Sequence, residues 1–192
     1  MIKSKKLSKF KGIDHAFFNR LGGKSNGIFK SLNCGSGSSD TKKNILKNLE
    51  IVSSKINAKS KKIFLLNQVH SNKFYYIDKN SKFNNNKYEG DALITDKKNL
   101  PIAVLTADCA PILIHDEGRK MIAAIHAGWK GAISGIIKNT VNKIKKFNSK
   151  REIFASIGPC IGRNSYEVDL GFYKKFLAKS KKNNRYFLNK NK

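Results

Sequence analysis

The 192-residue sequence predicts a layered α+β domain, short buried strands covered by two or three amphipathic helices. Three observations lead there. Short apolar runs recur along the chain, most of them bounded by Pro, Gly or Asn, as buried strands require. Two segments instead carry apolar residues at helical spacing. The apolar share of 40% and aromatic share of 10% are those of a globular protein with a full core, and the length suits a single domain over 1–192.

Taken in order, residues 14–19 read as a strand running into a turn at Gly22-Gly23. Residues 40–57 read as a helix with Asp40 as its N-cap, because Ile45, Leu49, Val52 and Ile56 share one face. Strands are predicted at 62–69 and 73–77, and a polar loop at 81–87 around Asn84-Asn85-Asn86. Three apolar segments follow at 91–95, 101–106 and 111–115, punctuated by Pro101 and Pro111. A strand at 120–126 leads into a helix over 130–147, striped by Ile133, Ile136, Ile137, Val141 and Ile144. A strand at 152–157 ends at Gly158-Pro159, a helix is predicted at 169–180, and a further strand is expected to begin near Phe187-Leu188.

The net charge of +26 attracts attention first, since such a field draws polyanions. Yet the chain has only five arginines, and its lysines are dispersed in pairs such as Lys42-Lys43 and Lys145-Lys146. Base-reading surfaces bring arginines and interleaved aromatics, so no specific nucleic-acid partner is expected. No apolar run approaches the length of a membrane span, and no apolar stretch follows the basic Met1–Lys6 to make a secretory signal. A cytoplasmic protein without a membrane partner is therefore expected. Cys34, Cys109 and Cys160 are odd in number and far apart, which fits reduced thiols rather than a disulfide framework.

Three side chains stand where strand-like runs end and can converge on a cleft: His70, Cys109 and His126. Imidazole nitrogen and thiolate sulfur are what zinc prefers, and a catalytic zinc keeps a fourth position open. Their separations match no compact metal motif, so on spacing alone buried core polar residues are the usual reading and a zinc site the less common one. Gly128 and Gly131 bracket a predicted helix start, where unpaired N–H groups can hold an anion or where glycine simply permits a tight turn. Arg20 beside Gly22-Gly23 has the fork that suits phosphate oxygens, although flexible surface loops read the same way.

Gln68-Val69-His70, Gly90-Asp91-Ala92-Leu93-Ile94-Thr95, Thr106-Ala107-Asp108-Cys109-Ala110-Pro111, His126-Ala127-Gly128-Trp129-Lys130-Gly131 and Gly158-Pro159-Cys160-Ile161-Gly162 occur in one order. With Arg20-Leu21-Gly22-Gly23-Lys24-Ser25 and Ser31-Leu32-Asn33 they closely resemble the laccase-domain, or multicopper polyphenol oxidase, family, now regarded as purine nucleoside phosphorylases. The resemblance implies an α-β-β-α layering with mixed sheets and a zinc ion on His70, Cys109 and His126, which would also be the catalytic residues. It implies a nucleoside and phosphate as small-molecule partners: phosphorolysis of adenosine, inosine, guanosine and methylthioadenosine, together with deamination of adenosine. Some bacterial members are linked instead to editing of peptidoglycan precursors, in which Cys109 would act as a nucleophile with a histidine base. Only four histidines are present, too few for several coppers, so zinc is expected over copper.

Within that frame Arg20, Asn33, Gly128 and Lys130 are the expected substrate-binding residues, and Gln68 and Asp91 are expected to support the ligands from behind. Asp108 is expected to face away from Cys109, because neighbours on an extended strand alternate. Cys160 is expected to pack, Trp129 either to stack on a base or to pack, and His15 and His115 to lie at strand ends or on the surface. Family members run some tens of residues further, so the chain is expected to lack a C-terminal portion, leaving an exposed sheet edge.

Overall fold

The computed structural model describes residues 1–78, 80–81, 88–147 and 152–188. The predicted loop at 81–87 lies almost wholly outside the described residues. Two compact units are present, Met1–Cys160 and Ile161–Lys192. The first is organised on one five-stranded mixed sheet. Its strands are β1 (Phe74–Ile77), β2 (Ala92–Thr95), β3 (Ala110–Asp116), β4 (Met121–Ala127) and β5 (Ile153–Ile157), in spatial order β1-β2-β4-β3-β5. Only β1 and β2 are parallel; β2 with β4, β4 with β3 and β3 with β5 all run antiparallel. The α+β class read from the sequence is the class of the structure.

Alternation of side chains sorts the core into layers. Ala92 and Ile94, Ile112 and Ile114, and Ala123 and Ile125 point to one face, where Ile136 and Ile144 of α3 (Ile136–Lys145) cover them. Leu93 and Ile77 point the other way, against Phe64 and Leu66. The intervening residues Ile63 and Leu65 turn outward to meet Val52 and Leu49 of α1 (Lys42–Lys55). From α1 inward the order is helix, extended segments, sheet, helix, which is the predicted α-β-β-α layering. Each fully buried aliphatic side chain in these layers contributes about 1.5–3 kcal/mol relative to exposure.

The second β layer is only partly a ladder. Residues 62–69 and 101–106, predicted as strands, are extended but joined by one isolated parallel bridge, Phe64 to Ile102, while Asn67 bridges Glu89. A side chain does the work of backbone at the next position: Gln68 donates from Nε2 to the Leu105 carbonyl at 2.8 Å and accepts from the Leu105 N–H at 2.7 Å. On the opposite side of this segment the backbone groups of Ile102, Val104 and Thr106 have no hydrogen-bond partner among the described residues. Residues 14–19 likewise reduce to one bridge, Phe17 to Ile2.

Helix boundaries bring two corrections. The N-cap of α1 is Thr41, whose hydroxyl accepts from the Asn44 N–H at 3.2 Å; Asp40 lies one residue earlier and takes the Asn44 amide. The helix predicted over 130–147 is two helices, α2 (Trp129–Ser134) and α3, because Gly135 adopts the left-handed region at φ +94°. Glycine enters that region at little cost, so it ends one helix and starts the next at a new angle.

Histidines 15 and 115 are buried rather than on the surface. His15 accepts the Ser4 N–H on Nε2 at 2.9 Å, and His115 Nδ1 pairs with the Met121 carbonyl at 3.2 Å. Burial first, and then nearby Lys3, hold His15 below the usual imidazole value. The neutral form is thus favoured in the folded chain, and its contribution is present at neutral pH and lost as pH falls through the depressed folded value. His15→Gln is expected to flatten the part of the thermal-stability profile that falls between about pH 7 and pH 5, the range of an ordinary histidine.

The second unit carries α4 (Leu170–Lys179), capped by Asp169, which accepts the Phe172 N–H at 2.6 Å. Phe172 stacks on Phe176 at 4.8 Å, and Phe187 meets the Tyr173 ring edge-on at 5.0 Å. None of the described helices is long and apolar enough to cross a membrane.

Candidate metal centre

Sheet register builds one side of the site. Ala92 pairs with Ile125, so Asp91 falls beside His126 at the strand ends, and the His126 N–H donates to the Asp91 carbonyl at 2.7 Å. Both side chains project to the face opposite α3. There Asp91 Oδ1 takes a hydrogen bond from His126 Nδ1 at 2.8 Å, in a pair whose side chains are 4% and 0% exposed. A proton fixed on Nδ1 leaves Nε2 with its lone pair free to ligate.

Asp91 also holds the second histidine by its backbone. It accepts the His70 N–H at 3.0 Å on Oδ1, and the Ser71 N–H and hydroxyl at 2.5 and 2.7 Å on Oδ2. His70 sits at φ +58°, a conformation that non-glycine residues keep only when neighbours over-determine it. Burial alone would raise the Asp91 carboxyl, but the hydrogen bonds from His126, Ser71 and His70 together hold it below the usual carboxylate range.

Cys109 precedes β3 and shares the parity of Leu113 and His115, which line the same cavity. Its Sγ lies 3.8 Å from His70 Nε2, and the His70 and His126 rings meet edge-on with centroids 4.7 Å apart. One ligand atom from each of His70, Cys109 and His126 falls within 4.8 Å of the others, so the trio predicted from strand ends is brought together. Three donors of this kind, with one histidine already locked in the ligating tautomer, could hold a metal ion. Among the described residues no other group of His, Cys, Asp and Glu does so. His15 and His115 each spend one ring nitrogen on the backbone, which counts against a multicopper cluster.

Gly128 has a steric part to play that the sequence did not single out. A Cβ there would stand 2.7 Å from His70 Cδ2 and 3.1 Å from Cys109 Sγ. Gly128→Ala is therefore expected to displace the His70 ring and weaken metal binding by at least tenfold, the scale of losing a ligand's support. Isothermal titration of the metal-free variant measures it.

The other predicted site residues divide. Arg20, Asn33, Gln68 and Asp108 all line the cavity of about 990 Å³ that opens beside the trio. The alternation expected between Asp108 and Cys109 has no regular strand to enforce it, because β3 begins only at Ala110. The Asn33 amide is engaged in its own loop, donating to Ser38 and Asp40 and accepting from Gly35. Lys130 is exposed with its ammonium 5.7 Å from the Trp129 ring, and neither lines the cavity. Cys34 packs against α1, and burial pushes its thiol up to about 11, as expected of a structural cysteine.

Sequence reasoning missed Asn48. It is fully buried on α1, where its amide donates to Ser25 Oγ and the Asn33 carbonyl and accepts the Lys24 N–H. One side chain thereby ties both N-terminal motif loops to the helix; a polar residue within the apolar stripe of 40–57 was its only signal. Ser71, Asn72 and Asn139 were missed as well.

A polar trio beside the strand ends, backed by a buried carboxylate and opening on a large cavity, makes a candidate metal centre in a layered α+β fold. The chain belongs to the multi-copper polyphenol oxidoreductase laccase family, whose model matches residues 14–192. A purine nucleoside phosphorylase of Rickettsia prowazekii is 42% identical over 145 residues, covering 76% of this chain and 58% of the relative. A purine nucleoside phosphorylase of Bacteroides thetaiotaomicron is 30% identical over 184 residues, covering 92% of this chain and 68% of the relative. Among solved structures, YlmD from Geobacillus stearothermophilus superposes with a TM-score of 0.75 at 26% identity, over 83% of this chain and 62% of that one. The Bacillus licheniformis protein YfiH gives 0.73 at 28%, over 84% and 62%. The chain thus spans roughly three-fifths of the length of several of these proteins.

Proposed function

We propose that the chain is a purine nucleoside phosphorylase whose centre holds one zinc ion on His70, Cys109 and His126. The observation that carries this reading is the convergence of the three donors within 4.8 Å at the wall of the cavity. The names of the relatives supply the reaction class. Adenosine, inosine, guanosine and methylthioadenosine are the candidate substrates, and deamination of adenosine is the second activity of the same centre.

A zinc ion bound there supplies Lewis acidity and lowers the pKa of what it binds. The chain's own residues do the rest. Asp91 keeps the His126 proton on Nδ1 and holds the His70 turn, so both imidazoles face the reacting centre without rearrangement. Gln68 fixes the segment that leads to Cys109. Arg20, exposed at the cavity, is the group suited to hold phosphate by its planar fork as phosphate displaces the base at the anomeric carbon. Lys130 adds positive charge nearby in sequence to His126.

The alternative, a peptidoglycan-precursor hydrolase with Cys109 as nucleophile, is disfavoured by the thiol itself. Burial, then Asp108 and Asp91, push Cys109 up, whereas an activated nucleophilic cysteine is held low. A coordinating metal removes that obstacle by displacing the proton. The deciding experiment measures zinc per chain by mass spectrometry, together with base release from adenosine and inosine with and without phosphate. One zinc and strictly phosphate-dependent release are expected. Zinc-loaded chain that releases no base, or turnover that survives complete chelation, would overturn the assignment.

A further inference from the structure

His70 lies outside the regular strands on a turn of its own, and Asp91 grips only one side of that turn. The other side is gripped by the junction of α2 and α3. Asn72 donates from Nδ2 to the Ser134 carbonyl at 3.0 Å, and Asn139 of α3 donates from Nδ2 to the Asn72 carbonyl at 3.2 Å. Gly131 of α2 lies so close beneath that a Cβ there would stand 2.7 Å from the Ser71 carbonyl oxygen. The junction is itself set by Gly135 at φ +94°. The residue held at φ +58° is therefore followed by two residues clasped between a buried carboxylate and a helix junction.

We infer that Asn139 and Asn72 are positioning residues for His70: their clasp holds the strained turn so that the imidazole stays within reach of Cys109 and His126, and so sets the affinity of the metal site. Released from the junction, the 71–72 turn can relax toward ordinary backbone, and relaxation at φ of His70 swings its ring away from Cys109 Sγ, now 3.8 Å distant. The clasp touches neither metal nor substrate. It acts through a backbone whose resting conformation is unfavourable, where a small loss of restraint has a large effect on ligand geometry. The inference rests on the reading that His70, Cys109 and His126 hold a metal.

The test is titration of the full metal-free chain with cobalt(II), in competition with a chromophoric chelator, following the thiolate-to-cobalt charge-transfer band and the d–d bands. Asn139→Asp keeps the shape but removes the donor, and is expected to weaken cobalt binding roughly tenfold and alter the d–d bands. Asn139→Gln, which retains an amide donor, is expected to recover most of the affinity. Asn72→Ala removes the second bond independently, and a several-fold weakening is expected. Asn142→Asp, on an exposed position of the same helix, carries the same charge change and is expected to bind as wild type. Wild-type affinity and spectrum in both Asn139→Asp and Asn72→Ala would overturn the inference, as would equal weakening in Asn142→Asp. A wild-type chain that binds no cobalt and no zinc would overturn the metal reading and this inference with it, whereas tight wild-type binding unchanged by the clasp variants would overturn the inference alone.

Discussion

Cys109→Ala is expected to abolish phosphate-dependent base release and to weaken zinc binding by well over a hundredfold, more than the about 10- to 100-fold that loss of a supporting partner costs. The sulfur is one of only three protein donors, and the thiolate is the only anionic one, so its removal leaves two neutral imidazoles on a divalent ion. The residue is half-buried, and among the described residues its side chain has no hydrogen-bond partner closer than His70 Nε2 at 3.8 Å, so the metal-free variant should melt close to the metal-free wild type. Equilibrium dialysis against zinc and differential scanning calorimetry separate the two effects. Zinc retained at wild-type affinity would remove Cys109 from the centre.

Asp91→Asn is expected to damage both stability and site, and by more than any other single change in the centre. The carboxylate is fully buried and accepts from His126, the His70 N–H, and both the N–H and hydroxyl of Ser71. An amide in its place turns one acceptor into a donor facing donors. Breaking a buried hydrogen-bonded charge typically costs about 3–5 kcal/mol, and urea unfolding of the metal-free variant reads it. Because the folded carboxyl is held below its ordinary range, its contribution is intact above the unfolded value and disappears as pH falls through the folded one. Asp91→Asn should therefore lose most stability at neutral pH and converge with wild type in acid. A constant difference across pH would show that the carboxylate's charge is not what stabilises the turn.

The site was legible in the sequence to the extent that chemistry and position coincide. His70, Cys109 and His126 could be singled out because each ends an apolar run, and Asp91 because it opens one. Their convergence was not legible from spacing, since it depends on the register that sets Asp91 beside His126 and on the positive φ of His70. The regular strands and α1 were readable because periodicity records burial. Residues 62–69 and 101–106 were misread as ladder strands because a continuous apolar run records burial on both faces, not which backbone groups are paired; Gln68 supplies a pairing that no pattern announces. Gly135 was overlooked because the apolar stripe was read straight across it; of that stripe Ile136 and Ile144 are buried against the sheet, whereas Ile137 is exposed. The Asn48, Asn72 and Asn139 amides lay hidden for a simpler reason. In a chain this rich in asparagine, polar residues that bind a neighbour look the same as those that bind water.

The backbone edge at Ile102, Val104 and Thr106, without a partner among the described residues, bears on how this chain behaves in solution as a colloid. Residues 101–107 carry no charge, and Pro101 stands only at the start, so no lysine or proline within the segment blocks pairing with another chain. Dispersal falls instead to the molecule as a whole, through mutual repulsion between copies that each carry a formal net charge of +26. That repulsion reaches about 10 Å at 0.1 M salt and only about 3 Å at 1 M. The lysines dispersed along the chain thus act as a suspension agent, and raising the ionic strength is expected to favour self-association through that edge.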